Sequence, residues 1–295
     1  MRSSQAALPF AVASGAIVLL SAMDAFMKGL TLSIGAYNAL LWRSFISVTL
    51  GGVLFLAHRS PRPTRRALVL HVRRGAITTA MALLFFWGIG RVPLAEAIAL
   101  CFVAPLIALY LAAVLLGERV GARAIAGSAV AFAGVLVMVV ARARISGDVA
   151  SLAGAVAILA SAGLYAYNII LMRQQALAAR PVEIAFFQSV VVAALLLLAA
   201  PVLAIVPGAV HLPALLASSL LSLGGALLFA WAYARGEAQA LAPTEYTGIV
   251  WAALFGWIAF GEAVTLSTMI GGMLIVAGCV HAVRTRPDPI MEATL

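Results

Sequence analysis

The sequence contains few charged residues and only two cysteines. Charged side chains make up 10% of its 295 residues, whereas 64% of the residues are hydrophobic and the mean hydropathy is +1.11. A soluble globular domain cannot bury this much apolar surface, so the composition excludes that class. Because Cys101 and Cys279 fall within long apolar runs, we expect small apolar side chains there and no disulfide framework.

The motifs of the common enzyme classes are also absent. The chain has no HExxH, CxxC, Walker A or GxSxG pattern. Its four histidines lie near the ends of apolar runs or in loops and have no metal-ligand spacing. These histidines are His58, His71, His211 and His281. We therefore expect no catalytic residues, no metal and no bound cofactor.

Long apolar runs fill most of the chain. A transmembrane helix needs roughly 20 mostly apolar residues, whereas barrel strands alternate over about 10 residues. The sequence therefore predicts an all-α polytopic membrane protein with ten transmembrane helices. The first run continues past Asp24 without a clear cleavage site, so we interpret it as a span and not as a secretory signal. The predicted helices cover residues 8–30, 35–57, 72–90, 93–116, 122–141, 149–172, 182–206, 212–234, 238–260 and 265–284.

The basic residues are distributed unevenly between the predicted loops. The formal net charge is +9, and with a cytoplasmic N-terminus fourteen of the nineteen basic residues lie on the cytoplasmic side. Only Arg91, Arg142 and Arg144 lie on the other side, and Lys28 and Arg43 fall within spans. Because arginine is enriched in cytoplasmic loops, we predict a bacterial inner-membrane protein with both termini in the cytoplasm. The positive charge indicates orientation and contact with anionic headgroups, not nucleic-acid binding.

The chain repeats itself at an offset of 144 residues. Each unit contains five predicted helices, and this odd number inverts the second copy relative to the first. The sequence thus predicts inverted repeats at residues 8–141 and 149–286, followed by a cytoplasmic tail at 287–295. Such repeats are typical of transporters that work by alternating access. The matching pairs are Arg91 with Arg235, Gly117 and Glu118 with Gly261 and Glu262, Gly127 with Gly271, Ala133 and Gly134 with Ala277 and Gly278, and Arg142 with Arg286.

Each repeat ends in a Gly-Glu pair followed by a glycine-containing helix. Gly117 and Gly261 are predicted to end helices 4 and 9 in the left-handed conformation. Glu118 and Glu262 then lie near the positive N-terminal end of the next helix, where we interpret them as caps. Helices 5 and 10 each carry two glycines seven residues apart on one face, which predicts close packing of these helices.

The residues from Pro93 to Val140 resemble a known family. They read PLAEAIALCFVAPLIALYLAAVLLGERVGARAIAGSAVAFAGVLVMVV, and this pattern is similar to the signature of the EamA-type drug/metabolite transporter superfamily. The second copy keeps Gly261 and Glu262 but has Ile249 in place of Pro105. The resemblance covers about residues 8 to 286 and implies ten helices and solute transport. The chain is most similar in appearance to bacterial YddG-type exporters of aromatic and other amino acids.

Four ionisable side chains fall within the predicted spans at a comparable depth. Asp24 and Lys28 are four residues apart on helix 1, a spacing that suits an intrahelical ion pair. Arg43 on helix 2 and Glu96 on helix 4 add a second base and acid. One interpretation is a structural ion network. The other is a gate in which Asp24 or Glu96 contacts the ammonium of an amino acid and Arg43 its carboxylate.

Glu245 lies about a third of the way into helix 9, two residues after Pro243. Its equivalent in the first repeat is Cys101, so the repeat symmetry is broken there. Pro243, like Pro105 in helix 4, is a predicted helix kink. Glu245 is a candidate for proton coupling or for binding a substrate ammonium, and the alternative is an ordinary polar contact between helices.

The aromatic residues divide into interfacial and deeper positions. Trp87, Trp231 and Tyr233 lie near span ends and are expected to be interfacial anchors. The deeper residues are cavity candidates, because their rings can contact an apolar or aromatic solute, although ordinary packing is an equal alternative. The deeper residues are Tyr110, Tyr165, Tyr246 and Trp251.

The sequence as a whole predicts a secondary transporter that exports aromatic and other neutral amino acids. Its partners are then the bilayer, an amino-acid-like solute and, if Glu245 titrates, protons. We expect a monomer or a weak homodimer. The main alternative is an exporter of cationic drugs or polyamines, which would use the acid Glu245. A channel, a helical scaffold and an intramembrane enzyme are the less favoured classes.

Overall fold

The fold consists of helices joined by short connections. The structure, a computed structural model, describes residues 2–57, 63–116, 122–146, 148–235, 241 and 244–283. Regular structure within these residues is helical, with a 3-10 turn at Ala209–His211. The helices are α1 (Arg2–Ala57), α2 (Arg65–Ile89), α3 (Leu94–Cys101), α4 (Ala104–Leu116), α5 (Ala122–Ser146), α6 (Val149–Ala176), α7 (Pro181–Leu203), α8 (Leu212–Tyr233), α9 (Gly248–Phe260) and α10 (Leu266–Val283).

The helices have the length and composition of membrane spans. Six segments of the described chain are long and apolar enough to cross a bilayer, and the longest, Leu8–Ala57, contains 50 residues. That segment leaves the helical conformation at Gly35, where φ is 81° and ψ is 152°. Glycine adopts this positive φ without a Cβ clash. The predicted all-helical membrane class is confirmed, and the number of crossings stays a prediction.

The fourth predicted helix is interrupted between α3 and α4. The turn immediately before Pro105 is of the 3-10 type: the amide of Val103 donates to the Leu100 carbonyl at 3.3 Å, and the amide of Leu106 donates to Val103 at 3.1 Å. Proline has no N–H and therefore cannot continue the α-helical hydrogen bonding of the preceding turn. The interruption lies where the sequence predicted a kink.

An equivalent turn precedes α9. The amide of Thr247 donates to the Thr244 carbonyl at 3.0 Å, and the amide of Val250 donates to Thr247 at 3.0 Å. These three residues lie 144 positions after Leu100, Val103 and Leu106, so both repeats form the same pair of hydrogen bonds. Pro243 lies outside the described residues. The two turns also meet, because the rings of Phe102 and Tyr246, which are equivalent positions, contact edge to face with centroids 5.3 Å apart.

The helices α5 and α10 cross at their glycines. A Cβ built on Gly134 would meet the carbonyl oxygen of Gly271, and one built on Gly278 would meet the carbonyl oxygen of Gly127. The pairing order shows that the two helices are antiparallel. The prediction that they pack closely is confirmed. Gly261 has the predicted left-handed conformation, with φ 66°, whereas Gly117 and Glu118 lie outside the described residues.

Alanine at Gly134 is expected to destabilise the protein. Its Cβ would lie 2.5 Å from the Gly271 oxygen and 2.9 Å from Ile275, and overpacking of this kind costs about 1–3 kcal/mol. The matched control is Gly163→Ala, because no atom lies within 4 Å of that Cβ position; alanine there adds roughly 0.5–1 kcal/mol of helix stability. Measured by thermal unfolding in detergent, the Tm should be lower for Gly134→Ala and not for Gly163→Ala. Equal effects of both substitutions would contradict the tight crossing.

Candidate functional site

The side chain of Lys28 binds Glu262, a residue of the second repeat. We refer to the end of the molecule near Arg65, Arg180 and Arg235 as the arginine-rich end, and to the end near Val92 as the opposite end. At the opposite end the Lys28 ammonium binds a carboxylate oxygen of Glu262 and donates to the Val92 carbonyl at 2.7 Å. The second Glu262 oxygen accepts from the amide of Leu94 at 2.8 Å.

Two predictions about these residues are wrong. Lys28 does not pair with Asp24 along helix 1, because its side chain is directed to the start of α3 and the end of α9. Glu262 does not cap the helix that follows it. It caps α3, whose first amide is that of Leu94. The Lys28 side chain is only 4% exposed, so a direct carboxylate partner offsets part of the cost of removing its charge from water.

Glu96 is neutralised by an arginine that the sequence placed in a loop. Arg142 lies inside α5 and binds both Glu96 oxygens through its guanidinium, with Nε 3.1 Å from Oε1. Such two-point pairing fixes the geometry of both groups. The four predicted charges divide into two groups. Lys28 and Glu96 lie close together, with Glu262 and Arg142 as their direct partners, whereas Asp24 lies close to Arg43. This pairing favours the structural interpretation for Lys28 and Glu96.

Asp24 and Arg43 face each other without a direct ion pair. The two side chains interact electrostatically, while Arg43 Nη2 donates to the Ser222 hydroxyl at 2.7 Å and the guanidinium lies over the Phe86 ring at 5.9 Å. Arg43 Nε is buried and has no hydrogen-bond partner. A buried unpaired donor is rare in proteins and is a position where a ligand or water can bind. Arg43 can therefore still bind a ligand near Asp24, whereas Lys28 and Glu96 are already paired with Glu262 and Arg142.

Glu245 lies beside the turn that precedes α9. One of its carboxylate oxygens accepts a hydrogen bond from the Tyr233 hydroxyl at 2.8 Å. Tyr165 on α6 lies close to both Glu245 and Cys101, and Cys101 lies close to Asp24. Three predicted site residues, Tyr165, Glu245 and Tyr246, therefore surround the region where the two interrupted helices meet.

The other two predicted cavity residues, Trp251 and Tyr110, lie on α9 and α4. Trp251 contacts Phe255 on the same helix, with ring centroids 6.4 Å apart. Tyr110 on α4 is 37% exposed. Tyr233, which the sequence assigned to an interfacial anchor, instead donates directly to Glu245. The sequence placed Tyr233 near a span end, where anchoring is the common role of tyrosine.

A buried polar network at the arginine-rich end was not predicted. Arg74 Nη1 donates to Gln175 Oε1 at 2.6 Å, Gln175 Nε2 lies 2.5 Å from His71 Nδ1, and His71 Nε2 lies 3.0 Å from Glu183 Oε1. Arg74 Nε also donates to Asn168 at 3.2 Å. His71, Gln175 and Glu183 are all less than 6% exposed. The network joins α2, α6 and α7, as a hydrogen-bonded chain of buried polar groups can.

The offset of 144 residues relates one residue of this network, Asn168, to Asp24 of the first repeat. Asn168 lies 144 residues after Asp24, so each repeat places a polar side chain at the same position of its first helix. Each then faces an arginine, Arg43 for Asp24 and Arg74 for Asn168. The predicted helix began only at residue 72, so His71 fell outside it, whereas α2 begins at Arg65 and contains both His71 and Arg74.

The comparisons with known proteins agree with this architecture. A model of the EamA-like transporter family matches residues 8–140 and 152–284. The chain belongs to the EamA-like transporter family. The family resemblance inferred from the sequence is thereby confirmed, and this EamA-like protein is a multi-pass membrane transporter, not an enzyme.

Two curated relatives and one solved structure are similar to this EamA-like transporter. The relatives are the pseudopaline exporters CntI from two strains of Pseudomonas aeruginosa, each 27% identical over 270 residues, which cover 90% of this chain and 92% of the relative. A protein of known crystal structure is 21% identical and superposes with a TM-score of 0.63, covering 94% of this chain and 96% of the other. At that identity the likeness shows the fold alone.

Proposed function

We propose that this EamA-like transporter exports aromatic and other neutral amino acids across the bacterial inner membrane by alternating access. The arginine-rich end and both termini lie in the cytoplasm in this proposal. The moving halves are the inverted repeats 8–141 and 149–286. The fourteen basic residues assigned to one side support the orientation.

The arrangement of Asp24 and Arg43 is the observation that carries the substrate assignment. An amino acid presents a carboxylate and an ammonium within one small molecule, and it binds where a cation and an anion are both available. Arg43 offers the unpaired Nε donor, and Asp24 offers a carboxylate that does not form a direct ion pair with Arg43. We assign the substrate carboxylate to Arg43 and its ammonium to Asp24.

Aromatic side chains near Glu245 support a preference for aromatic solutes. Phe102 and Tyr246 contact each other where the helix interruptions meet, and Tyr233 and Tyr165 lie around the Glu245 carboxylate. Tyr165 is 42% exposed, so its ring has surface left to bind a solute. Aromatic rings contact one another with a preferred offset or edge-to-face geometry, which adds to simple burial.

Contacts at the two ends of the molecule support an alternating mechanism. At the opposite end, Lys28 and Glu262 join the two repeats, and at the arginine-rich end the bridge from His71 to Glu183 does the same. In the proposal, each set of contacts breaks when its own end opens. Equivalent turns at Val103 and Thr247 let both halves bend near the midplane, as in other inverted-repeat transporters.

Glu245 favours one alternative substrate class. Its carboxylate accepts from a tyrosine hydroxyl, and within the described residues it forms no ion pair with a base. A buried acid of this kind suits a cationic drug or a polyamine. The named relatives are exporters, which supports outward transport for either class.

Uptake by proteoliposomes tests the substrate assignment. The purified protein is reconstituted and presented with labelled Phe, Trp, Thr and Met, and in parallel with labelled spermidine and a quaternary ammonium dye. We expect saturable uptake of the amino acids above that of empty liposomes. Saturable uptake of the cations alone, by protein shown to be folded, would overturn the amino-acid assignment and establish the alternative.

A further inference from the structure

A cavity lies away from Glu245, at the arginine-rich end of the molecule. It has a volume of about 810 Å³ and opens between α2 and α6. We call it the arginine pocket. Its polar wall includes Arg65, Arg66, Arg73 and Gln174, and its apolar wall includes Val69 and Leu177.

The polar wall carries three positive charges, and no acid is among the described residues that line it. Arg66 and Arg73 are seven residues apart on α2, so they lie on one face of the helix, and Arg65 adjoins them. All three are exposed, and within the described residues no hydrogen bond or ion pair engages their guanidinium groups. Arg74, the next residue of α2, is instead fully engaged by Asn168 and Gln175. The pocket therefore concentrates positive charge that none of the described residues compensates.

The apolar wall is directed outward. Leu177 is 92% exposed and Val69 is 46% exposed, directly beside the arginines. A free inorganic anion would gain nothing from these side chains. A ligand with an anionic head and apolar chains would bind both walls at once, and basic pockets between helices near a membrane surface are suited to lipid headgroups.

We propose that the arginine pocket is a binding site for an anionic phospholipid, and that it prefers the two phosphates of cardiolipin to the single phosphate of phosphatidylglycerol. Guanidinium groups bind phosphate oxygens through paired hydrogen bonds, and three of them are available for two phosphates. The lipid contacts α2 and α6 at once, through residues adjacent in sequence to Arg74 and Gln175, which join the same helices. This site is independent of the transported substrate.

Lipid titration of the delipidated, detergent-purified full chain tests the proposal. Native mass spectrometry measures the bound lipid, and thermal unfolding measures its effect, for cardiolipin, phosphatidylglycerol, phosphatidylethanolamine and inorganic phosphate. Arg66→Gln/Arg73→Gln is compared with Arg144→Gln/Arg180→Gln, which removes the same charge from exposed positions outside the pocket. At roughly 1 kcal/mol per arginine, the pocket variant should bind cardiolipin about 30-fold more weakly, and the control should match the unmodified protein.

Several results would overturn the site. Equal weakening of cardiolipin binding in both double variants would show that binding depends on overall charge and not on the pocket. A Tm increase with inorganic phosphate equal to that with cardiolipin would show that the site binds a free anion. Binding of phosphatidylethanolamine as strong as that of cardiolipin would show that the site does not select anionic lipids. Arg73→Gln alone should give an intermediate affinity, and this single surface substitution keeps the test valid if the double variant is unstable.

Discussion

Arg43→Gln should lower kcat/KM for amino-acid uptake about 10- to 100-fold. A hydrogen bond to a charged group contributes roughly 1.5–3 kcal/mol, and glutamine cannot replace the paired donors of a guanidinium. In the proposed site Arg43 binds the substrate carboxylate through Nε, while Nη2 remains on Ser222. Initial rates of labelled Phe uptake into proteoliposomes measure the effect.

The control for Arg43 is an arginine with no place in the proposed site. Arg91 stacks on Trp87 at 3.5 Å and donates to the Trp87 carbonyl, and it is partly accessible at the opposite end. Arg91→Gln removes the same charge and should transport normally. A second comparison uses phenethylamine, which is phenylalanine without its carboxylate. Unlabelled Phe and phenethylamine are compared as inhibitors of labelled Phe uptake. The ratio of the potency of Phe to that of phenethylamine should fall in Arg43→Gln, and an unchanged ratio would exclude Arg43 as the carboxylate ligand.

Glu245→Gln should abolish the response of transport to a pH gradient. Proton exchange needs a group that binds and releases a proton within the cavity, and Glu245 is the acid next to the interrupted helix whose hydrogen bond comes from a neutral hydroxyl. Glutamine has a similar shape but does not titrate. We expect uptake by the variant to be equal with and without an imposed gradient, while exchange of labelled for unlabelled Phe at equal pH continues.

Tyr233→Phe is the matched control for this experiment. It removes the hydrogen bond to Glu245 but keeps the carboxylate, so gradient-driven uptake should persist. If Glu245→Gln still showed gradient-driven uptake, another group would have to couple transport to protons. Loss of both exchange and gradient-driven uptake would instead show that Glu245 binds the substrate, which favours the ammonium or cationic-drug assignment.

The sequence predicted the helical architecture well because helices in lipid need only local information. A run of about 20 apolar residues satisfies its own backbone hydrogen bonds, and Pro105 and Gly261 interrupt or end helices through their own backbone chemistry. The offset of 144 residues located equivalent positions, and the turns at Val103 and Thr247 have the same hydrogen bonds.

The partners of the buried charges could not be predicted in this way. Spacing along one helix suggested Asp24 for Lys28, but the actual partner, Glu262, is 234 residues away. Which side chains meet depends on how the helices pack, and a single sequence contains no direct measure of that packing. The assignment of Arg142 to a loop failed for a related reason, because α5 extends past the apolar run that defined the predicted helix.

Lys28 is the only lysine in the chain, and this has a practical consequence. Its amine is held by Glu262 and the Val92 carbonyl, beside a surface cavity of about 340 Å³ at the opposite end. A protonated, hydrogen-bonded amine is a poor nucleophile, and separation from Glu262 would let it lose its proton to water. An acylating reagent that cannot cross membranes would therefore mark one side chain in proportion to the time that this end spends open. In the proposed alternating mechanism, the extent of Lys28 labelling would therefore report how often the opposite end opens.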